Sequence, residues 1–431
     1  MNTALGTLLI LTPLLPLLLA FPALRARLPW PCHVALLPAF ILLMVPMDAA
    51  LDLPWLLPGS GLGLDAGMDR WPLAMAVLVW GAGASLLPAS GGRPADGRFT
   101  SCFLLTLAGS LGMMLATGLV GFFTFSVLMG YGFYALLLAD GGAGRRRAAG
   151  VYLVLLILAD LALFEALLIA AATSGELGFA AVRQAMAQSP SSTLYLSMVL
   201  AGFAARAGLW PLYFWLPPAF ASARPAVALL LGAAPVAMAL LGLVRWLPLG
   251  DAALPGAGLV VQGLGVLTLS YAVLAGVKRG RPKCLPARGT LFATGLFAIA
   301  LGTGLGDPAA WHRYGDWAGL FIAAVGLGAA LLVVAGGGLR QDAAEGRADD
   351  SPAWFECWPA AVVRRAARLG VDTLPRWRAA WQTWLMRLWR PRTWQRALDG
   401  SERFLQRWAV AVTLLVLLGM AVVLAGAASG T

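Results

Sequence analysis

The chain has 431 residues, of which 60% are hydrophobic and 12% are charged, and its mean hydropathy is +0.80. This composition excludes an ordinary soluble domain and predicts a polytopic helical membrane protein, because runs of about 20 apolar residues cross a bilayer as helices. The formal net charge of +11 is explained by loop charges that orient such spans, so no nucleic-acid partner is needed to account for it.

The residue types that usually build cofactor sites are few and scattered. The cysteines lie far apart without a CxxC motif and the histidines are too few for a metal cluster; these residues are Cys32, Cys102, Cys284, Cys357, His33 and His312. The sequence also lacks a nucleotide-binding glycine loop. We therefore predict no prosthetic group and no metal site, and a non-catalytic membrane subunit in preference to an enzyme.

Hydropathy predicts an all-α bundle of about twelve spans. They are placed near Leu5–Phe21, Val34–Leu51, Trp71–Leu87, Cys102–Leu119, Val120–Ala139, Val151–Thr173, Leu194–Pro217, Pro225–Leu247, Leu259–Val277, Thr290–Leu305, Trp317–Ala335 and Trp408–Ala425. Basic residues follow the odd-numbered spans up to the ninth, whereas the intervening connections are acidic or nearly neutral. The positive-inside rule then places the N-terminus outside in a multi-pass protein of the bacterial inner (cytoplasmic) membrane.

Four regions follow from this pattern. We predict a transmembrane core at 1–338, a cytoplasmic linker at 339–353, an amphipathic lateral helix at 354–404 and a C-terminal transmembrane anchor at 405–431. The lateral helix is rich in tryptophan and arginine on the cytoplasmic side, where aromatic rings suit headgroup depth and arginines suit anionic phosphates.

One face of the lateral helix carries tryptophans at helical spacing, with arginines available to flank it. These residues are Trp377, Trp381, Trp384, Arg378 and Arg387. Two interpretations remain open: the helix anchors the last span at the lipid surface, or it forms a strut along neighbouring subunits.

Arg206 lies inside the seventh predicted span. A cation at membrane depth is costly unless it faces protein or water, so Arg206 is a candidate functional residue. This span is predicted to be broken, because Gly208, Pro211, Pro217 and Pro218 interrupt or end helical hydrogen bonding. Transporters place ion sites at interrupted helices of this kind.

Two acids of the sixth predicted span, Asp160 and Glu165, are candidate partners for Arg206. They stand five positions apart, about 140° around a helix, and so do not share a face. Asp160, central in its span, is the preferred partner, which leaves Glu165 toward a neighbouring subunit or water. The pair is either a static ion pair or part of an ion pathway. Arg245, near the outer end of its span, is expected to snorkel or to cap.

The stretch Gly202–Pro225, GFAARAGLWPLYFWLPPAFASARP, resembles a family motif that reads G-F-x-x-K-A-x-x-x-P-L-H-x-W-L-P-x-A-H-x-x-A-P. The family comprises the antiporter-like membrane subunits of respiratory complex I, multi-subunit cation/proton antiporters and membrane-bound hydrogenases. Phe122–Tyr134, FFTFSVLMGYGFY, resembles its F-F-x-F-W-E-L-M-x-L-x-S-Y. The resemblance extends to about Gly306 and implies a divergent, shortened subunit of an ion-translocating (proton or Na⁺), redox-linked complex, with other membrane subunits as partners.

The resemblance also implies a row of ionisable groups at mid-depth, from which this chain departs. The family's glutamate, seventh-span lysine, two histidines and eighth-span lysine fall on Val127, Arg206, Tyr213, Phe220 and either Val236 or Ala237. Because a guanidinium stays charged, Arg206 cannot release protons as a lysine does. The resemblance thus implies a subunit with most relay residues lost and a structural or coupling role. The alternatives are an assembly and anchoring subunit, or a subunit of an inorganic-carbon or solute uptake system.

Overall fold

The structure is a computed structural model that describes residues 3–45, 48–52, 61–87, 97–139, 143–189, 191–277 and 285–336. The predicted linker, lateral helix and C-terminal anchor lie outside the described residues. The same holds for the residues predicted to contact lipid or partners, which are Trp377, Trp381, Trp384, Arg378 and Arg387.

The described residues are mainly helical, as expected where backbone groups must be satisfied within apolar segments. The helices are α1 Thr3–Leu19, α2 Pro22–Arg25, α3 Pro31–Val34, α4 Leu37–Leu43, α5 Arg70–Leu86, α6 Gly97–Leu115, α7 Leu119–Leu138, α8 Ala143–Ser174, α9 Phe179–Gln188, α10 Ser192–Ala207, α11 Leu216–Ser222, α12 Pro225–Leu231, α13 Ala237–Trp246, α14 Pro255–Val277, α15 Leu285–Gly306, α16 Pro308–Tyr314 and α17 Ala318–Ala335. Shorter 3₁₀ turns cover Leu212–Trp215 and Gly315–Trp317, and a π-helical turn covers Gly232–Val236.

Eight helical segments of the described residues are long and apolar enough to cross a membrane. They are Gly97–Leu115, Leu119–Leu138, Arg146–Ser174, Ser192–Ser222, Pro225–Trp246, Pro255–Ala275, Leu285–Gly306 and Pro308–Ala335, and shorter apolar helices cover Ala4–Leu19 and Pro31–Leu43. The chain is therefore a multi-pass helical membrane protein, as its composition predicts. The count of about twelve spans stays a prediction.

The centre of the bundle is the segment formed by α12, the π-helical turn and α13. Every residue from Ala226 to Leu249 is buried, and α5, α6, α10 and α17 pack around this segment. Pro235 lies within the π-helical turn, where its missing N–H is accommodated by the wider hydrogen-bonding pattern. Residues 226–244 carry no charge, as suits a helix that is buried on all sides, and the first charged side chain after them is Arg245.

A small layer of extended backbone covers one end of the bundle. Strands β1 (Ala49–Asp52) and β2 (Gly61–Leu64) pair antiparallel. The layer continues as Leu62 bridges to Ala116 and Gly118 bridges to Gly178. The sequence pattern does not predict this hairpin, because four-residue strands are too short to show a clear alternation.

Arg245 fastens this end of the bundle from within. Its Nη1 donates to the carbonyl oxygens of Met113 and Ala116 at 2.8 and 2.9 Å, and its Nη2 donates to the carbonyl oxygen of Met114 and to Asp69 Oδ1, both at 2.5 Å. Carbonyls at the end of α6 have no partner within the helix, so the guanidinium caps it. Of the two alternatives expected for Arg245, capping agrees with this geometry and snorkelling does not, because its acceptors lie inside the protein.

Asp69 is buried just before α5 and completes this arrangement. Its Oδ2 accepts a hydrogen bond from the Asp65 N–H at 3.0 Å. Burial raises the pKa of the Asp69 carboxyl above its ordinary value, while the adjacent Arg245 guanidinium opposes that rise. The ring of Phe179 adds a cation–π contact 5.6 Å from Arg245 Cζ. One guanidinium therefore joins α5, α6, α9 and α13.

Helices α14 and α15 approach each other closely enough for backbone contact. A Cβ placed on Gly302 would lie 2.6 Å from the carbonyl oxygen of Gly258, and one on Gly265 would lie 2.8 Å from that of Gly295. Small residues allow this approach, and close packing is what drives association of helices in lipid. Gly263, also on α14, faces open space.

We expect Gly302→Ala to lower the free energy of unfolding by about 1–3 kcal/mol, because the added methyl must push α14 and α15 apart. The matched variant Gly263→Ala should leave stability unchanged or raise it by about 0.5–1 kcal/mol through helix propensity. Denaturant titration of the detergent-solubilised protein measures both. Equal effects of the two variants would contradict the close packing.

We expect Arg245→Met to destabilise the fold by about 3–5 kcal/mol, because it leaves a buried carboxylate without its partner. The control is Arg313→Met. The Arg313 side chain is 77% exposed, and its ion pair with Asp307 is 4.0 Å long. Surface pairs of this type contribute about 0–1 kcal/mol. Thermal unfolding of the two variants in parallel measures the difference, and a mild effect at Arg245 would show that the cap is dispensable.

Candidate functional site

Arg206 is buried in the last turn of α10, with a relative exposure of 4%. The helix ends immediately afterwards, because Gly208 adopts a left-handed conformation with φ +73° that a residue with a side chain rarely takes. A cation in the last turn is favoured by the negative end of the helix dipole. The sequence thus places Arg206 both inside the bundle and at a helix end that prefers positive charge.

The guanidinium of Arg206 connects three helices. Its Nη2 donates to Asp160 Oδ1 on α8, forming an ion pair, and its Nη1 donates to Ser126 Oγ on α7. The Asp160 side chain is 13% exposed and Ser126 is fully buried. The structure therefore brings together Arg206 and Asp160, the two residues that the sequence analysis preferred as partners.

Three buried polar atoms around this pair have no hydrogen-bond partner among the described residues. They are Arg206 Nε, Asp160 Oδ2 and the hydroxyl of Tyr152. Tyr152 lies on α8, two turns before Asp160, and interacts electrostatically with both members of the pair. Buried polar groups in folded proteins are normally paired, so three unpaired atoms at one locus are an unusual concentration of free hydrogen-bonding capacity.

The chain after Ala207 is not helical until the 3₁₀ turn at Leu212. Trp210 N–H donates to Thr268 Oγ1 on α14 at 2.8 Å, and the indole N–H of Trp215 donates to the carbonyl oxygen of Ala205 at 2.9 Å. Pro211 precedes the 3₁₀ turn, and Pro217 and Pro218 lie in the first turn of α11, where a missing N–H costs little. Neighbouring side chains thus satisfy backbone groups that the interruption frees.

The structure also describes the two other predicted pathway residues, Tyr213 and Glu165. Tyr213 is buried in the 3₁₀ turn, with its ring centroid 3.9 Å from that of Tyr271 on α14. Glu165 is exposed on the outer side of α8. Of the two acids on α8, Asp160 faces Arg206 and Glu165 faces away, which agrees with their angular separation.

Sequence reasoning missed two contributors to buried charge pairing. Ser126 is next to Val127, on which the resemblance places the family's glutamate. It accepts a hydrogen bond from Arg206, and this contact could not be predicted because the two residues are 80 positions apart in the sequence. Asp69 lies in a loop, 176 positions from its partner Arg245. The cluster of acidic residues before α5 indicated that a carboxylate could pair with a buried cation. Sequence spacing alone cannot identify a partner that lies so far away in the chain.

Comparison with known sequences shows which protein family the central part of the chain resembles. Residues 102–307 match the family described as NADH:quinone oxidoreductase/Mrp antiporter, TM. A probable K⁺/H⁺ antiporter subunit from Rhizobium meliloti is 31% identical over 290 residues, which cover 62% of this chain and 53% of that protein. A Na⁺/H⁺ antiporter subunit from Staphylococcus aureus is 24% identical over 284 residues, covering 63% and 34%. The chain thus spans about half or less of these curated relatives.

Solved structures share the fold. The Mrp complex from a Dietzia species contains a chain with a TM-score of 0.66 and 20% identity, covering 84% of this chain and 40% of that one. The membrane-bound sulfane sulfur reductase, an archaeal respiratory membrane complex, contains a chain with a TM-score of 0.60 and 18% identity, covering 99% and 95%. Together with the family match, these likenesses confirm the resemblance read from the motifs around Arg206 and Phe122. Residues 102–307 of the chain thus belong to the antiporter-like membrane-subunit family.

Proposed function

We propose that this chain is a non-catalytic subunit of a multi-subunit, ion-translocating membrane complex, where it has a structural and coupling role. The names of its relatives support cation/proton exchange as the activity of such a complex. The observation that carries the proposal is the buried Arg206–Asp160 pair at the interruption after α10. In this proposal the locus holds a fixed charge and does not relay protons.

The chemistry of the pair argues against proton relay. A guanidinium stays protonated at any physiological pH, so Asp160 is the group of the pair that could titrate. Protonating Asp160 would leave Arg206 as a buried cation without a counterion, at a cost of about 3–5 kcal/mol. Ser126 and Val127 offer no carboxylate from α7 to replace it. The static role that we propose therefore uses the charged form of the pair.

A fixed positive charge also opposes passage of cations. Buried arginines exclude protons and cations from narrow pores by electrostatic repulsion. Arg206 occupies the place where the resemblance implies a titratable lysine, so a proton following that route would meet a permanent barrier. The unpaired atoms of Arg206, Asp160 and Tyr152 would bind water locally, which hydrates the site without completing a path.

We extend the proposal to the arrangement in the membrane. The interruption between α10 and α11 is the broken seventh span of a bundle of about twelve spans. The N-terminus faces outside, and the predicted lateral helix at 354–404 lies on the cytoplasmic leaflet against anionic lipid or neighbouring subunits. The basic loops and the family's multi-subunit setting support this arrangement.

We expect Asp160→Asn or Arg206→Met alone to reduce the amount of assembled complex, because each leaves one charge buried without its partner, at about 3–5 kcal/mol. The double variant Arg206→Met/Asp160→Leu should restore assembly, since a buried ion pair can be replaced by apolar residues at little cost. Native gel electrophoresis of the membranes measures assembly, and Arg313→Met is the surface control.

Ion flux then separates a static pair from a relay. The assembled double variant, reconstituted in proteoliposomes, should exchange cations for protons within about twofold of wild type, because in this proposal the route past Arg206 carries no ions and the working ion path of the complex lies elsewhere. A normally assembled double variant whose flux falls tenfold or more would show that the pair belongs to the ion path. That outcome would overturn the proposed structural role.

A further inference from the structure

The outer face of α8 is a stripe of exposed apolar residues with one acid among them. Ile157, Leu161, Phe164 and Leu168 are 48, 57, 43 and 47% exposed, and Glu165 is exposed beside them. These positions recur at steps of three and four and so lie on one side of the helix. The opposite side packs on α7, α10 and α11. We refer to these five outward residues as the α8 face.

Glu165 lies well inside the apolar span. It is nineteen residues after Arg146 and nine before Ser174, the ends of the span Arg146–Ser174. At 1.5 Å per residue these separations are about 28 and 14 Å along the helix axis. A carboxylate at such depth costs several kcal/mol in contact with lipid, and acids in spans almost always face protein or water.

A second exposed helix face, on α14, gives a comparison for the α8 face. Leu259, Val266 and Val273 of α14 are 71, 48 and 47% exposed. The sequence of α14 contains no acidic or basic residue. The α8 face differs from this surface by its carboxylate, which no described residue pairs by hydrogen bond or ion pair.

We propose that a transmembrane helix of a different subunit packs on the α8 face and presents a basic side chain to Glu165. Charge complementarity selects the partner, because a buried carboxylate is stabilised by a cation that also donates hydrogen bonds. The apolar residues around Glu165 supply the packing surface and exclude water from the pair. The inference rests on the chain's place in a multi-subunit membrane complex.

Two other occupants fit the α8 face less well. A second copy meeting it through the same face would bring two Glu165 carboxylates together, which is repulsive. The chain's own last predicted span, Trp408–Ala425, contains no ionisable residue that could pair with Glu165. Its arginine-rich segment before that span is amphipathic and suited to headgroup depth instead. A basic helix from another subunit therefore fits best.

The α8 face also borders the Arg206 pair. Tyr131 of α7 is 40% exposed and its hydroxyl interacts with the Asp160 carboxylate. A helix seated on α8 would cover this edge, so that Asp160 would lie one layer beneath the subunit boundary. The partner would thereby complete the burial of the ion pair.

The test is recovery of other subunits with the tagged chain from the intact complex. We expect Glu165→Leu to reduce recovery by about tenfold or more, as loss of one member of a buried interfacial pair does. Glu165→Lys should be at least as damaging, and Glu165→Gln should fall between them and wild type. The matched control is Glu176→Leu, which removes an exposed acid just beyond α8 and should have no effect.

Photo-cross-linking identifies the occupant. A benzophenone amino acid at Leu161 or Leu168 should cross-link to another subunit, at a helix with a lysine, arginine or histidine within one turn of the attachment point. The proposal fails if the cross-links reach only lipid, a second copy or residues 339–431 of this chain, or if Glu165→Leu leaves recovery unchanged. Membrane content of each variant, measured by immunoblot, shows whether the chain itself is inserted.

The two proposals can fail separately. The Glu165 experiment measures association between subunits, whereas the Arg206–Asp160 experiment measures ion flux in an assembled complex. Unchanged recovery in Glu165→Leu would remove the α8 face as a docking surface and leave the static ion pair intact. Loss of flux in the Arg206→Met/Asp160→Leu variant would overturn the static ion pair and leave the α8 face as a docking surface.

Discussion

A buried guanidinium has to find acceptors within the protein, and this requirement organises the bundle. Arg206 joins α7, α8 and α10 through Ser126 and Asp160. Arg245 joins α6 and α13 to the start of α5 through three carbonyl oxygens and Asp69. In lipid the packing of apolar helices is weakly directional, whereas a charge that must be neutralised admits few arrangements. The two arginines therefore connect helices that are distant from one another in the chain.

The parts of this fold that sequence could predict are those with local signals. Apolar length predicts a membrane bundle, and the angular separation of Asp160 and Glu165 predicts that one faces inward and the other outward. The hairpin and the acceptors of Arg245 were not predicted, because they depend on contacts between residues that are distant in the chain. Arg245 shows the reason: its position near the end of a span left snorkelling and capping open, and the acceptors that decide between them come from Asp69 and the end of α6.

The fold survives extensive change in the residues that the family resemblance implies for proton transfer. This chain shares its fold with solved structures at 20 and 18% identity, although it carries Val127, Arg206 and Tyr213 where the resemblance implies titratable groups. In this chain the close packing of α14 and α15 depends on glycines, and the central segment is uncharged from Ala226 to Val244. A shared architecture can therefore accompany different side chains at the positions where the resemblance implies ionisable groups.

The buried segment from Ala226 to Leu249 has a consequence for biosynthesis. This segment leaves the ribosome before α14, α15 and α17, yet in the finished protein α17 packs against it and helps to separate it from the surroundings. During synthesis the side of this segment that α17 later covers is therefore in contact with lipid or with the insertion machinery until α17 has entered the membrane. That interval is tolerable because its one charge, Arg245, lies near its end, where α5 and α6 have already been made to receive it. Closure of the bundle around its own axis is thus a late event.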